Sequence, residues 1–246
     1  TITAPRERIE AALAAAERIL RQPMPPANPH ARLLGVHLEG PFLSPKWPGA
    51  QDPAHIVPPR PEWVRAWIRR FPSLIRIVTL APERKGAPEL IRLLAEAGIV
   101  VSCGHTDATC AETVRAFSLG LSHAAHLFNA MRGFHHREPG PAGAVLADDR
   151  VTAEIIADGV HVHPDALRMA LSCKNRGNPI LVTDAISAAG MGDGPFRLGG
   201  LEAEVQDGVA RLKGSGRLAG STLTMIRAFR LMVLNMGLAL PEASRL

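Results

Sequence analysis

Four residues of this chain have the chemistry of a hydrolytic metal centre: Glu39, His105, His126 and Asp184. A carboxylate and two imidazoles suit one borderline divalent cation, zinc first, with iron or another divalent metal as alternatives. A cation held with one position open polarises a carbonyl and lowers the pKa of bound water towards ~7. Asp184 would then take the water's proton and later give it to a leaving amine. Taken singly, Glu39 reads as an ion-pair member, each histidine as a core residue and Asp184 as a turn cap. Four such groups in four matching places point instead to a site.

The matching places are the ends of short apolar runs. Glu39 follows GVHL, His105 follows VVSCG, His126 ends SHAA and Asp184 ends ILVT, while Asp158 and His161 follow AEIIA. The runs cover 33–38, 75–80, 99–102, 122–127, 152–157 and 180–182. Helical spacing fills 62–71, 88–97, 108–119 and 164–173, with Gly98 and Gly120 as stops. Helical connections make neighbouring strands parallel, and unbroken apolar runs indicate strands covered on both faces. The fold expected is a TIM-like (β/α) barrel of the metal-dependent hydrolase type, whose strand ends all open on one rim. Residues 122–150 read as a strand followed by a long loop without a clear helix. His37, mid-strand, and His123, three before His126, read as structural. Gly40-Pro41 turns the chain after Glu39, and Gly104 bends it to present His105. The loop 132–140 carries Arg132, His135, His136 and Arg137, where a guanidinium could bind phosphate.

The chain has 246 residues, 46% of them apolar, and one α/β barrel takes roughly 250. The net charge of +5 comes from scattered arginines such as Arg65, Arg69, Arg70 and Arg76. With no Tyr, three Trp and seven Phe, platforms for stacking bases are scarce. No nucleic acid is expected; an anionic small substrate suits the charge. Three cysteines without a CxxC pair indicate a reducing compartment. No apolar run reaches the ~18 residues of a membrane span, and no signal peptide is visible, so the expected location is cytoplasmic.

Near Gly190 the pattern changes to short alternating runs at 196–198, 203–205 and 209–212, with Asp207-Gly208 as a hairpin signal. A helix at 222–237 and a further helix start at Pro241 follow. The expected division is a barrel at 1–190, an antiparallel segment at 191–220 and C-terminal helices at 221–246. At the other end Thr1–Thr3 reads as a strand end. A helix bearing Ile9, Leu13, Ala16 and Leu20 comes next, then a Pro-rich connection from Pro23 to Pro29. Six or seven strands do not close an eight-stranded barrel. The chain is therefore expected to lack its first barrel strand and some C-terminal sequence, as a fragment of a longer enzyme.

HLEGPF at 37–42, GHTDAT at 104–109, HLFNAM at 126–131, REPG at 137–140, IADGVHV at 156–162, LVTDA at 181–185 and LAGSTLTM at 218–225 occur in one order. This set resembles the N-acetylglucosamine-6-phosphate deacetylases of the amidohydrolase superfamily. The resemblance implies hydrolysis of the N-acetyl group of N-acetylglucosamine 6-phosphate, giving glucosamine 6-phosphate and acetate. It implies Glu39, His105 and His126 as metal ligands and Asp184 as the acid/base. It further implies sugar-phosphate contacts from Asn129, the backbone of Ala130 and His161. Arg137 is expected to reach the phosphate in a neighbouring subunit, which makes a homodimer. Where the family often has GAH, this chain has Gly49-Ala50-Gln51. Gln51 can donate a hydrogen bond without carrying charge, or coordinate metal through its carbonyl oxygen; His55 is a weaker substitute. The family's His-x-His strand is absent, which leaves a Glu/His/His site for one ion. The alternatives are a deacetylase for another N-acetylhexosamine phosphate, such as the galactosamine epimer, or a non-catalytic sugar-phosphate-binding fragment.

Overall fold

Strands that are apolar on both faces need a layer on each side. The computed structural model, which describes residues 2–22, 31–174 and 178–246, supplies one of these layers with helices. Its elements run α1 (Arg6–Arg21), β1 (Val36–Glu39), α2 (Pro61–Arg70), β2 (Ile75–Leu80), α3 (Ala87–Glu96) and β3 (Val100–Cys103). Then come α4 (Cys110–Phe117), β4 (Leu121–Ala124), α5 (Gly140–Ala147), β5 (Thr152–Ile156), α6 (Pro164–Cys173) and β6 (Pro179–Val182). The six strands pair in chain order, all parallel, in one curled open sheet. Leu13 of α1, Trp67 of α2 and Leu90, Ile91 and Leu94 of α3 share one apolar core with Leu38, Val78 and Val101 of the strands.

The other face of the sheet is mixed, with Ile77, Ile156 and Ile180 among its polar positions. Side chains at paired positions of parallel strands point the same way. The register aligns Glu39 with Thr79, Thr79 with Ser102, Ser102 with His123 and His123 with Thr152. A row of hydrogen-bonding groups therefore crosses five strands on the concave side.

The expected loop within 122–150 contains a helix, α5, which corrects the sequence reading. Its sequence GPAGAVLA is buried on nearly every side, against α4 and α6. A helix without a polar face has no amphipathic period to read. Ile2 and Thr3 form no strand: Thr3 N–H donates to Gln51 Oε1 at 2.7 Å, and its hydroxyl donates to the Glu39 carbonyl at 3.3 Å. The remaining residue of that expected strand, Thr1, and the Pro-rich connection Pro23 to Pro29 lie outside the described residues.

Past β6 the chain builds a second, antiparallel sheet of β7 (Gly194–Leu198), β8 (Leu201–Gln206) and β9 (Val209–Leu212). Asp207 and Gly208 take φ of 51° and 74°, as a two-residue hairpin turn requires. Ala188, Ala203, Val205, Ala210, Leu212 and Ala219 form a core of its own. Helices α7 (Met225–Leu234) and α8 (Leu240–Ala243) return to the main core through Ala228, Met232 and Ala243. Helix α7 is shorter than the 222–237 expected at both ends: Thr222 donates to the Gly208 carbonyl, and Gly237 takes a left-handed φ of 75°. Among the described residues no helix is long and apolar enough to cross a membrane.

Helix α4 starts a few residues after His105, and a capping box fixes that start. Thr109 Oγ1 accepts the Glu112 N–H at 3.2 Å while Glu112 Oε2 accepts the Thr109 N–H at 2.8 Å. Thr109→Ala should cost about 1 kcal/mol, and Thr109→Ser should be near native. For a chain of this size that lowers the melting temperature by roughly 2–4 °C. Indistinguishable thermal melts for native and Thr109→Ala would contradict this account.

Candidate metal centre

Glu39 ends β1, His105 lies two residues past β3 and His126 two past β4. The ends of β1, β3 and β4, with β2 lying between the first two in the sheet, therefore bring together groups 66 and 87 residues apart in sequence. His105 Nε2 lies 2.7 Å and His126 Nε2 2.9 Å from the same Glu39 Oε1. The two rings meet edge-on with centroids 4.9 Å apart. Among the described residues this is the one group of three His, Cys, Asp or Glu side chains whose ligand atoms all lie within 4.8 Å of one another.

The donor set fits a cation on a further ground. His105 Nδ1 lies 2.9 Å from the Trp47 carbonyl, which can only accept, so Nδ1 carries the hydrogen. In that tautomer Nε2 turns its lone pair towards a carboxylate oxygen. Two acceptors at 2.7 Å need a positive centre between them, either a proton or a metal ion. A ligand imidazole whose other nitrogen donates to a backbone carbonyl is the usual arrangement around a bound metal. Trp47 is itself held: Asp107 accepts its indole N–H at 3.0 Å, with Lys46 at 2.8 Å and Arg132 at 3.0 Å on the same carboxylate.

Burial disfavours a charged His126, yet the Glu39 carboxylate, helped by Asp184 and Glu154, lifts its imidazole to about 10. Burial would likewise raise Glu39, but hydrogen bonds from the two imidazoles hold it well below the ordinary carboxylate range. Asp184 moves the other way. Burial, opposed by His126 and reinforced by Glu39, raises it to about 6, close to what a proton carrier at neutral pH needs.

Local backbone shows what presenting these groups requires. His105, His126 and Asp184 have φ of 47°, 26° and 47°, in the left-handed region that side-chain-bearing residues rarely enter. Two glycines make room beside them. A Cβ on Gly49 would come within 2.9 Å of His105 Cε1, and one on Gly220 within 2.8 Å of the Asp184 carbonyl.

All four residues line one cleft of about 800 Å³, whose walls also include Gln51, Asn129, Ala130 and His161. Gln51 is buried and its Oε1 already accepts the Thr3 N–H. The oxygen considered as a metal ligand is thus engaged elsewhere, and the amide NH2 is the group left to donate. Asn129 Nδ2 donates to the His126 and Leu127 carbonyls, each at 3.2 Å, which leaves its oxygen for the cleft. His161 Nδ1 lies 2.6 Å from Asp158 Oδ2, and the other Asp158 oxygen accepts the Val160 and His161 N–H groups at 2.8 Å. Arg137 is exposed, 2.8 Å from His136 Nε2, and does not line this cleft.

Sequence reading missed Trp47, Asp107 and Glu154. Nothing in the sequence marks a tryptophan that acts through its carbonyl. Glu154 did leave a signal, a charge in the middle of the apolar run TAEII.

The sequence model of the Amidohydrolase family matches residues 26–244. The chain is 47% identical over 202 residues to the N-acetylglucosamine-6-phosphate deacetylase of Bacillus subtilis (strain 168), covering 82% of this chain and 51% of that protein. It is 41% identical over 243 residues to the N-acetylgalactosamine-6-phosphate deacetylase of Escherichia coli O157:H7, covering 99% of this chain and 63% of that one. A solved structure of a mutant N-acetyl-D-glucosamine-6-phosphate deacetylase from Mycobacterium smegmatis, in complex with N-acetyl-D-glucosamine-6-phosphate, superposes with a TM-score of 0.91 at 40% identity. That match covers 99% of this chain and 62% of the other. The chain thus spans between half and two thirds of the length of these relatives.

A divalent cation entering between Glu39 and the imidazoles must displace the proton that His126 holds there. Its affinity should therefore rise with pH between 7 and 9, by about tenfold per unit for one proton released. Calorimetric titration with zinc in buffers of different ionisation enthalpy reads that proton directly. Heats independent of the buffer would contradict the expectation.

Proposed function

The chain belongs to the amidohydrolase family, and from that membership we propose that it deacetylates an N-acetylhexosamine 6-phosphate, N-acetylglucosamine 6-phosphate first, to the free amino-sugar phosphate and acetate. One observation carries the reading: Glu39, His105 and His126 converge on a cleft that Asp184 also lines. Glu39, His105 and His126 would hold the ion, zinc first, and its contribution when bound is Lewis acidity.

The chain's own groups do the rest. The Asp184 carboxylate takes a proton from the attacking water and passes it to the amide nitrogen as the C–N bond breaks. Gln51, whose oxygen is fixed by Thr3 N–H, turns its NH2 towards the acetyl oxygen and donates a neutral hydrogen bond. His161 is oriented by Asp158 and, with Asn129 and the Ala130 backbone, receives the sugar phosphate. Arg137 reaches the phosphate bound by a second copy, in a homodimer. Its exposure, and a place outside the lining of its own cleft, support that assignment. A cytoplasmic setting fits three cysteines that are all unpaired.

The galactosamine epimer is a second reading, because the E. coli relative aligns over 99% of this chain. Acetate release from the two epimers, measured side by side, separates them. Higher kcat/KM on N-acetylglucosamine 6-phosphate is expected, and the reverse order would reassign the substrate.

Asp184→Asn should keep metal and substrate binding and lose turnover by about 10²–10⁴-fold, the usual worth of a positioned proton carrier. Near-native kcat in that variant would remove Asp184 from the role.

A further inference from the structure

We propose that Glu154, buried in the middle of β5, is the positioning residue that sets His126 for the cation. The inference rests on the reading of Glu39, His105 and His126 as ligands. The β4–β5 ladder stops at the pair Ala124 and Ala153, so the following amides of the β4 chain lose their regular partners. Glu154 supplies two of them. Its Oε2 accepts the His126 N–H at 3.3 Å, and its backbone carbonyl accepts the Leu127 N–H at 2.8 Å. Both contacts fall where the chain is forced through the left-handed φ of His126. A side chain thus continues the sheet at the point where the backbone must leave it.

Glu154 is placed with the same care. Its other oxygen, Oε1, lies 3.1 Å from His123 Nε2, and His123 Nδ1 lies 2.5 Å from Thr152 Oγ1. His37 Nδ1 approaches Oε1 at 3.8 Å, and His37 Nε2 lies 2.7 Å from Thr79 Oγ1. A carboxylate 8% exposed in a strand is costly to bury, and an apolar side chain would serve a core better. What this arrangement gains is a fixed backbone for one ligand. His37 and His123, structural by sequence, are the groups that hold Glu154.

The test is zinc affinity of the metal-free full-length protein, by competition with a chromophoric chelator, alongside its thermal melt. Glu154→Ala should weaken zinc binding by about 10–100-fold, as loss of a ligand's outer partner does. Glu154→Gln keeps an oxygen for the His126 N–H, and His123 can switch tautomer to accept from the new NH2, so it should recover most of the affinity. Glu154→Asp keeps the charge but is one methylene too short and should behave like the alanine variant; it carries the test if Glu154→Ala does not fold. A lower melting temperature with native zinc affinity in folded Glu154→Ala or Glu154→Asp overturns the proposal and leaves Glu154 a purely structural residue. If the native protein itself takes up no zinc or other divalent ion, the ligand reading falls, and this inference with it.

Discussion

One carboxylate oxygen faces two imidazole nitrogens at 2.7 and 2.9 Å, and that crowding organises the molecule. Acceptors do not stay at such distances without positive charge among them. The Trp47 carbonyl prevents His105 from escaping by turning its hydrogen the other way. Glu39 is therefore kept ionised, His126 cationic, and Asp184, further along the rim, raised to about 6. A metal ion would take over the role the proton fills.

The scaffold meets this demand by dividing its labour between the two faces of one sheet. Val36 and Leu38 of β1 are buried with the helices, and alternate residues His37 and Glu39 face the concave side. The polar row from Glu39 to Thr152 is thus a consequence of the two-residue period of strands. The strained turns follow just beyond it. Glu39 reaches the centre from the last position of β1, whereas His105, His126 and Asp184 do so after their strands end, in a backbone shape only the surroundings enforce.

Much of this was legible in the sequence. Apolar runs closed by Glu39, His105, His126 and Asp184 gave both the parallel order and the residues that meet. Gly98 and Gly120 marked helix ends within a few residues, and Asp207-Gly208 marked the hairpin. The hidden parts share a physical cause. Helix α5 is apolar all round and shows no period. Trp47 acts through its carbonyl, which every residue has. Thr3 contributes a backbone N–H that fixes which way the Gln51 amide points, a relation between positions 48 residues apart. Main-chain groups carry no letter in a sequence, and they orient His105, Gln51 and Asn129 in this cleft.

The separate core of the small sheet affects how the cleft can diversify. Gly49 lies against His105 and Gly220 against Asp184, so closely that a side chain at either position would clash, and divergence at these two positions is closed. Farther out, Arg197, Leu198 and Leu218 line the same cleft from a module whose packing involves other residues than the barrel's. Changes on that module can alter the part of the cleft wall it supplies while the main core stays as it is. New ligand tolerances should therefore arise there first, by drift on that sheet rather than by rebuilding the centre.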